Sequence, residues 1–419
     1  MKSVDAHLAD ILQDVEPLTP LHLGILDALG CVLAEDVVSD IDLPPFDNSS
    51  MDGYAVVLAD VAGANTLSPV RLPVVGDIAA GSSSTAAVAP GTTTRIMTGA
   101  PVPAGAQAVV PQEWTDQGTP TVAISREPGD GANIRRRGED VHAGDVLLRR
   151  GTTIGPTQVG LLAAVGRERV MAHPRPRVVV LSTGSELVEP AAKLGTGQIH
   201  DSNSYLLTAA VRDAGGIAYR VAALSDDPRG LLDAIEDQLV RADVIVTSGG
   251  VSVGAYDVVK EALSRSGTVE FVTVAMQPGK PQGQGTVGPD RTPIIALPGN
   301  PVSSFVSFEV FVRPLLRRLS GASRLQRPTV TAILADALRS PADRRQFARA
   351  TLTVEAGHYV VRPVGGPGSH LLGALAQANA LIIVPENVTA VPAGDAVTVM
   401  VLEDPMVLAD PMVLADPMS

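Results

Sequence analysis

Three short turns rich in glycine and small polar residues follow apolar segments in the part of this sequence after Pro176. They are STGSE, with Thr183, Gly184 and Glu186; TSGGVSVG, with Ser248, Gly249, Gly250 and Ser252; and LPGNP, with Pro298, Asn300 and Pro301. Glycine lets backbone amides approach a ligand closely, and a helix that follows such a turn offers unpaired N–H groups to phosphate. The spacing matches neither GxGxxG nor a Walker loop, and one glycine pair alone fits a tight turn equally well. Three such turns favour a ligand that carries phosphate.

Carboxylates recur in similar turns, and they are Glu186, Asp226, Asp227 and Asp257, with Asp52 and Asp140 in the first third of the chain. Magnesium takes carboxylate oxygens and bridges them to substrate phosphates. Each acid alone is more often a helix cap or a solvated charge than a metal ligand, since Asp227 precedes Pro228 and Asp257 opens a predicted helix. Both interpretations, magnesium ligand and cap, stay open for these acids.

Two basic segments suit an oxyanion. NIRRRGED contains Arg135, and PGKP contains Lys280. A basic run is often only a solvated face, but a guanidinium binds phosphate or another oxyanion in bidentate fashion, and an ammonium binds it as a point charge.

The stretch PPFDNSSMDGYAV holds two aspartates with different interpretations. Asp47, beside Phe46, is interpreted as a turn or cap residue, and Asp52 as a group that reaches a metal or an oxyanion. Thr98 lies in RIMTGAPVPAGA, a segment that is otherwise a simple β-hairpin connection.

The elements that must position these residues follow from hydrophobic patterning. From Pro176 onward, continuous apolar strands alternate with amphipathic helices, which predicts a parallel sheet covered on both faces. Ligands of such sheets bind beyond the carboxyl ends of the strands, where the three turns would meet. Short runs between Pro and Gly predict a small β domain from Pro44 to about Gly138 and a second one over 327–402. LTPLHLGILDALG predicts a helix that ends at Gly30.

Composition excludes several classes of function. A formal charge of −13 and an aromatic content of 3% argue against a nucleic-acid partner. The single cysteine, Cys31, excludes an internal disulfide and a multi-cysteine zinc site, and the histidines show no HExxH spacing. The N-terminus lacks a signal-peptide hydrophobic region and the apolar runs are too short to span a bilayer. We therefore expect a cytoplasmic protein with no membrane partner.

Ten motifs occur in series: FDNSSMDGYAV, RIMTGAPVPAGAQAVVPQE, NIRRRGEDV, GDVLLRRGT, STGSELV, GQIHDSNSYLL, SDD, TSGGVSVGAYD, PGKP and LPGNPVSS. Their order resembles that of the molybdopterin molybdenumtransferase family, which includes MoeA and the gephyrin E domain. The resemblance covers about residues 5–400.

The resemblance implies an α/β plus β fold in an elongated, multidomain subunit. The expected parts are a helical connecting domain (1–45 and 141–173), an inserted β domain (46–140), a molybdopterin-binding α/β domain (174–326) and a C-terminal β barrel (327–403). The VLADPM repeats in 404–419 are expected to form a disordered tail without a function.

The resemblance also implies a reaction. The family places molybdenum from molybdate onto adenylylated molybdopterin, with Mg²⁺, and releases AMP. Matched to the motifs, the catalytic residues are Asp52, Asp140, Asp257 and Lys280, and the metal ligands are Glu186, Asp226, Asp227 and Asp257. The substrate-binding residues are Thr98, Arg135, Thr183, Gly184, Ser248, Gly249, Gly250, Ser252, Pro298, Asn300, Pro301 and Ser369.

The implied assembly is a homodimer whose active cleft lies between subunits, with Asp52, Thr98 and Asp140 contributed by the other copy. Molybdopterin adenylyltransferase and molybdoenzymes that accept the cofactor are possible further partners. Two alternative functions stay open: a gephyrin-like scaffold without catalysis, and a molybdopterin adenylyltransferase. The chain departs from the family pattern at His200, Gln277 and Gln284, of which Gln277 replaces a second basic residue.

Overall fold

The structure is a computed structural model that describes residues 1–82, 87–224, 227–251, 258–264, 269–403 and 406–407. The chain forms two compact units. The first unit contains Met1–Leu21, Gly30–Ala34 and Met171–Ser419, and the second contains His22–Leu29 and Glu35–Val170.

The helices of the described residues are α1 (Val4–Leu12), α2 (Pro156–Ala164), α3 (Asn203–Asp213), α4 (Pro228–Leu239), α5 (Val258–Ser264), α6 (Pro301–Ser307), α7 (Arg313–Leu319) and α8 (Leu372–Leu375). Two 3₁₀ turns (Leu58–Val61 and Gln112–Trp114) and a π-helical segment (Phe308–Val312) complete the helical structure there. Within the described ranges, we find no helix with the length and apolar character needed to cross a membrane.

The strands up to residue 173 are β1 (Leu21–Gly24), β2 (Val32–Leu33), β3 (Val37–Val38), β4 (Asn48–Ser49), β5 (Gly53–Val56), β6 (Val70–Ile78), β7 (Thr93–Ile96), β8 (Ala108–Pro111), β9 (Thr121–Ile124), β10 (Ile134–Arg135), β11 (Val146–Leu148) and β12 (Arg169–His173). The later strands are β13 (Arg177–Ser182), β14 (Leu187–Val188), β15 (Ile199–His200), β16 (Ile217–Arg220), β17 (Val244–Ser248), β18 (Val269–Thr273), β19 (Met276–Gln277), β20 (Pro281–Val287), β21 (Thr292–Leu297), β22 (Thr329–Leu334), β23 (Leu338–Arg339), β24 (Arg345–Glu355), β25 (His358–Pro363), β26 (Ala380–Val384), β27 (Ala390–Val391), β28 (Ala396–Val401) and β29 (Met406–Val407).

The α/β part of the first unit is built on a six-stranded sheet in the order β16-β13-β17-β21-β20-β18. The first four strands run parallel. Successive residues of β13 point to opposite faces: Val178 and Val180 pack in one core with α1, α3, α6 and α7, and Val179 packs in the other with α4 and α5. Burial on both faces explains why these strands are continuously apolar, and it confirms the predicted α/β domain.

The sheet is mixed, which corrects the prediction of a wholly parallel one. The strands β20 and β18 add to its edge in antiparallel orientation. The sequence of β20, PQGQGTV, contains two glycines and two glutamines, so it lacks the apolar signal of a buried strand. Gly283 is needed there because a Cβ atom at this position would lie 2.8 Å from the Phe271 ring.

The C-terminal part of the first unit is a closed barrel of five strands. The strands β24, β25, β22, β28 and β26 pair in sequence, and β26 pairs back with β24. Leu334, Leu352 and Val399 are fully buried inside it. The predicted C-terminal β barrel is therefore confirmed.

The second unit contains a five-stranded sheet in the order β8-β5-β7-β6-β9, which confirms the predicted β region in this half of the chain. Tyr54 and Ala55, neighbours on β5, pack into two different apolar cores. A Cβ atom on Gly53 would lie 2.0 Å from the Val110 carbonyl oxygen, so only glycine permits this strand pairing.

The predicted helix ending at Gly30 is wrong. The segment forms the short strand β1 and a series of turns. Its leucines occur at helical spacing, but Leu21, Leu26 and Leu29 are 49%, 77% and 40% exposed, so these three leucines do not form a buried helix face.

The buried histidine His7 on α1 is expected to make the stability of the fold sensitive to acid. Its ring is fully buried edge-on to Phe311 at a centroid distance of 4.7 Å, and neither ring nitrogen has a hydrogen-bond partner among the residues that the structure describes. Burial, with a smaller effect from the charge of Lys2, lowers the pKa of His7 from 6.5 to about 4. As the pH falls from 6.5 toward 4 the unfolded chain takes up a proton that the folded chain refuses, so the stability due to neutral His7 is lost over this window.

We expect the free energy of unfolding to fall by up to about 3 kcal/mol across this window because of this group alone. Denaturant unfolding of His7→Leu at several pH values should show a weaker dependence on pH than the wild-type protein. The matched control is His358→Leu on β25, an exposed histidine that should leave the wild-type dependence unchanged. An unaltered pH dependence in His7→Leu would contradict the assignment.

Candidate functional site

A cavity of about 1120 Å³ opens at the carboxyl ends of the parallel strands in the first unit. The chain passes from β13 outward to β16 and then returns to the other side of β13 to form β17, so strand order reverses between β13 and β17. Ser182 and Ser248, the last residues of these two strands, are paired in register and both line the cavity. This is the position at which open α/β sheets bind ligands.

The first predicted turn places a carboxylate on the cavity wall. Thr183, Gly184 and Glu186 all line the cavity. Gly184 has φ +152°, and a Cβ atom there would lie 2.6 Å from Oε2 of Glu186. The carboxylate of Glu186 therefore lies directly over the bare Cα of Gly184, and the positive φ of this turn favours glycine.

The second turn touches the first through its backbone. Gly249 has φ +95°, and a Cβ atom there would lie 2.8 Å from the carbonyl oxygen of Thr183. A Cβ atom on Gly299, in the third turn, would lie 3.5 Å from the Cα of Gly249. The three turns predicted to meet do converge, and their glycines allow this close approach.

A network of hydrogen bonds connects the turns to one another. The amide nitrogen of Asn203 donates to Ser248 Oγ at 2.8 Å and to the carbonyl of Gly299 at 2.6 Å. Ser248 Oγ also lies 3.1 Å from Ser304 Oγ. Gly250, Pro298, Asn300 and Pro301 complete this side of the cavity, and the side chain of Asn300 is not used to cap α6. The sequence interpretation missed Asn203, for which the signal is its position in DSNS directly before a helix.

Cationic and hydroxyl groups line the opposite side. Lys280 follows Gly279, where a Cβ atom would lie 2.6 Å from Ser307 Oγ, and Gln282 donates to the carbonyl of Gly279 at 2.6 Å. These contacts fix the turn that carries Lys280. Ser369 comes from the C-terminal part, and its carbonyl accepts from the amide of Val302 at 3.1 Å.

Arg344 and His370 also line the cavity, and the sequence interpretation missed both. The Nε atom of Arg344 is buried and has no hydrogen-bond partner in the described part of the chain. Arg344 belongs to the barrel, more than 60 positions along the chain from Lys280, and no local pattern links the two. The pair RR in PADRRQF was the available signal.

Four predicted site residues belong to the second unit: Asp52, Thr98, Arg135 and Asp140. The backbone amide and the hydroxyl of Thr98 donate to Oδ1 of Asp52 at 2.7 and 2.8 Å. These bonds lower the pKa of the Asp52 carboxyl, so it stays ionised. The structure thus brings Asp52 and Thr98 together.

The arginines of NIRRRGED are in different situations. Arg136 donates to Asp47 at 2.8 Å, and Arg137 donates through Nε to Asp42 at 2.5 Å. Arg135 is exposed and forms no ion pair within the described ranges. Asp47 is thus occupied in fixing its own loop, whereas the guanidinium of Arg135 is available to a ligand.

The predicted metal ligands are only partly described. Asp226, Asp257 and the substrate-binding candidate Ser252 lie outside the described residues. Asp227 caps α4, since its two oxygens accept from the amides of Arg229 at 3.2 Å and Gly230 at 3.0 Å. In the part of the chain that the structure describes, no three His, Cys, Asp or Glu residues are grouped to hold a metal ion.

Of the predicted metal ligands that the structure describes, Glu186 lines the cavity. Asp201 lines it as well, but Ser204 donates to both of its oxygens, at 3.0 Å from the amide and 2.6 Å from the hydroxyl. Magnesium is commonly bound by one or two carboxylates together with substrate phosphates. Glu186 fits that mode of binding.

Three family models match the chain in order along its length. They describe the MoeA N-terminal region (domains I and II) at residues 2–166, a probable molybdopterin-binding domain at 179–318 and the MoeA C-terminal region (domain IV) at 331–402. Among solved structures, a molybdopterin biosynthesis MoeA protein from Pyrococcus horikoshii has a TM-score of 0.78 and 31% identity, covering 96% of this chain and 99% of that one.

Curated relatives extend over nearly the whole chain. Molybdopterin molybdenumtransferase 2 of Mycobacterium tuberculosis is 48% identical over 400 residues, which is 94% of this chain and 98% of the relative. Molybdopterin molybdenumtransferase 1 of the same organism is 43% identical over 422 residues, covering 96% and 99%. The chain described above therefore belongs to the MoeA family of molybdopterin molybdenumtransferases.

Proposed function

We propose that this protein inserts molybdenum from molybdate into adenylylated molybdopterin, with Mg²⁺, and releases AMP. As a member of the molybdopterin molybdenumtransferase family, it is an enzyme of molybdenum cofactor biosynthesis. One observation carries the finer proposal: a single cavity of about 1120 Å³ joins three glycine-containing turns and the Glu186 carboxylate to Lys280, Arg344 and Ser369. The three turns and Glu186 suit a magnesium-bound phosphate ester. Lys280, Arg344 and Ser369 suit an oxyanion.

The turns hold the phosphate groups. Their glycines leave backbone amides open to phosphate oxygens, and Gly249 and Gly299 bring two of the turns within contact distance of each other. Mg²⁺ would supply positive charge that offsets the negative charge of the phosphate oxygens. Glu186 would hold it from the cavity wall.

The cationic side holds molybdate. Lys280 and Arg344 supply positive charge, and the Ser369 hydroxyl supplies a neutral donor. Gln277 also lines this region and contributes only a neutral amide where many family members have a base, so this chain relies on fewer charges. In this arrangement the oxyanion lies beside the pterin dithiolene while the adenylyl group occupies the turns.

The direct test incubates the purified protein with adenylylated molybdopterin, Mg²⁺ and increasing molybdate. We expect AMP release that requires molybdate, together with a molybdenum-loaded pterin. Absence of AMP release by the folded protein would favour the scaffold alternative. Formation of adenylylated pterin from ATP and molybdopterin would favour the adenylyltransferase alternative instead.

We further propose a homodimer in which Asp52, Thr98, Arg135 and Asp140 of one copy complete the cavity of the other. Two features support this proposal. The Asp52 carboxylate is ionised and accepts hydrogen bonds from Thr98, and the cross-strand neighbours Val38 and Val146 of the second unit are 36% and 43% exposed. Exposed apolar pairs of this kind suit a surface that is covered by a second copy.

Mixing two inactive variants tests the shared site. Asp52→Ala and Lys280→Ala should each be inactive, and dimers exchanged between them should recover about a quarter of the wild-type activity, because half of the dimers are mixed and each mixed dimer has one intact site. Two different affinity tags verify that mixed dimers have formed. Mixed dimers without activity would show that Asp52 and Lys280 act within the same copy.

A further inference from the structure

Beside the cavity lies a group of charged and aromatic side chains that do not line it. Glu189, directly after β14, accepts two hydrogen bonds from Arg220, at 2.9 and 3.1 Å, and one from the hydroxyl of Tyr205 at 2.7 Å. The guanidinium carbon of Arg220 lies 4.3 Å above the centre of the Tyr205 ring. The two carboxylate oxygens of Glu189 thus accept three hydrogen bonds from Arg220 and Tyr205.

The three side chains come from three different elements. Arg220 is the last residue of β16 at the edge of the main sheet, and Tyr205 lies on α3. Arg220 also donates to Ser204 Oγ at 3.3 Å, and Ser204 in turn donates to the cavity residue Asp201. Side chains from α3 and β16, two elements of the α/β domain, therefore hold the segment that carries Glu189 in place.

That segment also carries Glu186. The strand β14 pairs only with β15 among the described strands, in a two-stranded ladder outside the main sheet. The amide of Ile199 donates to the carbonyl of Glu186 and the amide of Asp201 to the carbonyl of Val188, both at 2.9 Å. Glu186 is the turn residue directly before β14 and Glu189 the residue directly after it, so the two carboxylates flank this two-residue strand, and of the two Glu186 lines the cavity.

We propose that Arg220, Glu189 and Tyr205 form a positioning clamp that holds β14 from its outer side and thereby fixes the Glu186 carboxylate on the cavity wall. These residues touch no reacting group. They act through the backbone of residues 186–189 and through the β14–β15 ladder. The inference rests on the proposed function for the role of Glu186 toward Mg²⁺, but the clamp itself is a claim about the structure of this segment.

The bidentate geometry makes the clamp specific. Two parallel N–H···O bonds fix the angle between Arg220 and Glu189 as well as their distance, which a single contact would not do. The same bonds, with that from Tyr205, lower the pKa of Glu189 and keep it charged. Arg220→Lys retains the positive charge but loses the two parallel N–H donors of the guanidinium. Lysine should therefore replace the clamp function of Arg220 only in part.

The test compares Glu189→Gln and Arg220→Met with Glu186→Gln. Outer groups that orient a metal ligand typically change metal affinity by about 10-fold or more. We expect both clamp variants to weaken Mn²⁺ binding, measured by electron paramagnetic resonance without substrate, by about 10-fold. The double variant should be no worse than either single one, and Arg220→Lys should be intermediate.

A second measurement judges the clamp independently of the metal. Hydrogen–deuterium exchange should become faster in peptides that contain the amides of Ile199 and Asp201 when Arg220 is replaced by Met. The matched control pair is Glu355→Gln and Arg362→Met in the barrel, where Arg362 likewise donates to both carboxylate oxygens of Glu355, at 2.5 and 3.4 Å. The control pair should change neither Mn²⁺ affinity nor exchange in this segment.

If Arg220→Met leaves hydrogen–deuterium exchange at Ile199 and Asp201 unchanged, the clamp is overturned, irrespective of the role of Glu186. Faster exchange, with Mn²⁺ affinity lowered by Glu186→Gln but not by the clamp variants, would overturn its positioning role. If the wild-type protein releases no AMP, the proposed function fails, and the exchange measurement still decides whether the clamp exists.

Discussion

Replacing Lys280 by alanine is expected to lower the molybdate-dependent rate by about 100- to 1000-fold, the cost of removing one fixed electrostatic donor from an active site. Lys280 lies on a turn held by Ser307 and Gln282, and Gln277 supplies no second charge on the same turn. The loss should appear as a higher molybdate concentration at half-maximal rate and as a lower maximal rate. AMP release measured against molybdate concentration separates the two effects.

Two variants control for general effects of lost charge. Lys193→Ala removes an exposed lysine of the same unit that does not line the cavity, and it should retain full activity. Lys280→Arg keeps the charge with a different shape and should recover part of the rate. Thermal unfolding of Lys280→Ala should be unchanged, since the side chain is exposed. Activity of Lys280→Ala within about threefold of wild type would remove the oxyanion role from this lysine.

The second large effect is expected for Gly249→Ala. The added Cβ atom would lie 2.8 Å from the carbonyl oxygen of Thr183 and 3.1 Å from its hydroxyl, at a residue with φ +95°. The turns after β13 and β17 must then move apart, and a displacement of about 1 Å in a site can cost about 100-fold in rate. Backbone strain should also lower the free energy of unfolding by about 1–3 kcal/mol.

The matched control for Gly249→Ala is Gly215→Ala. Gly215 has φ +91°, nearly the same backbone conformation, but a Cβ atom there would meet nothing within 4 Å. Gly215→Ala should show the cost of left-handed backbone alone, about 1–2 kcal/mol, with wild-type activity. Equal losses of AMP-releasing activity in the two variants would mean that the contact between the turns has no part in function.

The largest elements followed directly from local patterns. Buried parallel strands such as β13 and β17 are continuously apolar, and the glycine-rich turns after them stand out for the same reason. The strand β20 was missed because its glycines and glutamines carry no apolar signal, although the neighbouring β18 and β21 bury it. The leucines of 18–30 suggested a helix because spacing alone does not reveal whether a face has anything to pack against.

Single residues show the same contrast between what a local sequence pattern predicts and what tertiary packing decides. The two interpretations of Asp227, metal ligand or helix cap, could not be separated in the sequence, and the structure shows the capping bonds to Arg229 and Gly230. Asn203 and His370 were missed although they lie within or directly beside predicted segments, because residue type alone does not show which side chain lines the cavity, and Arg344 was missed because no motif contains it. Arg135 and its two neighbours look alike in the sequence, and only the aspartates that bind Arg136 and Arg137 distinguish them.

The sequence by itself determined the α/β and β classes of the domains, the family and the three turns, because these depend on short-range periodicity and on residue types that recur in a fixed order. Only the tertiary structure decided which turns touch, which carboxylate faces the cavity and which distant cation joins it. Such contacts depend on the order of strands in the sheet and on residues brought together from distant parts of the chain, as in the approach of Gly249 to Thr183 and Gly299.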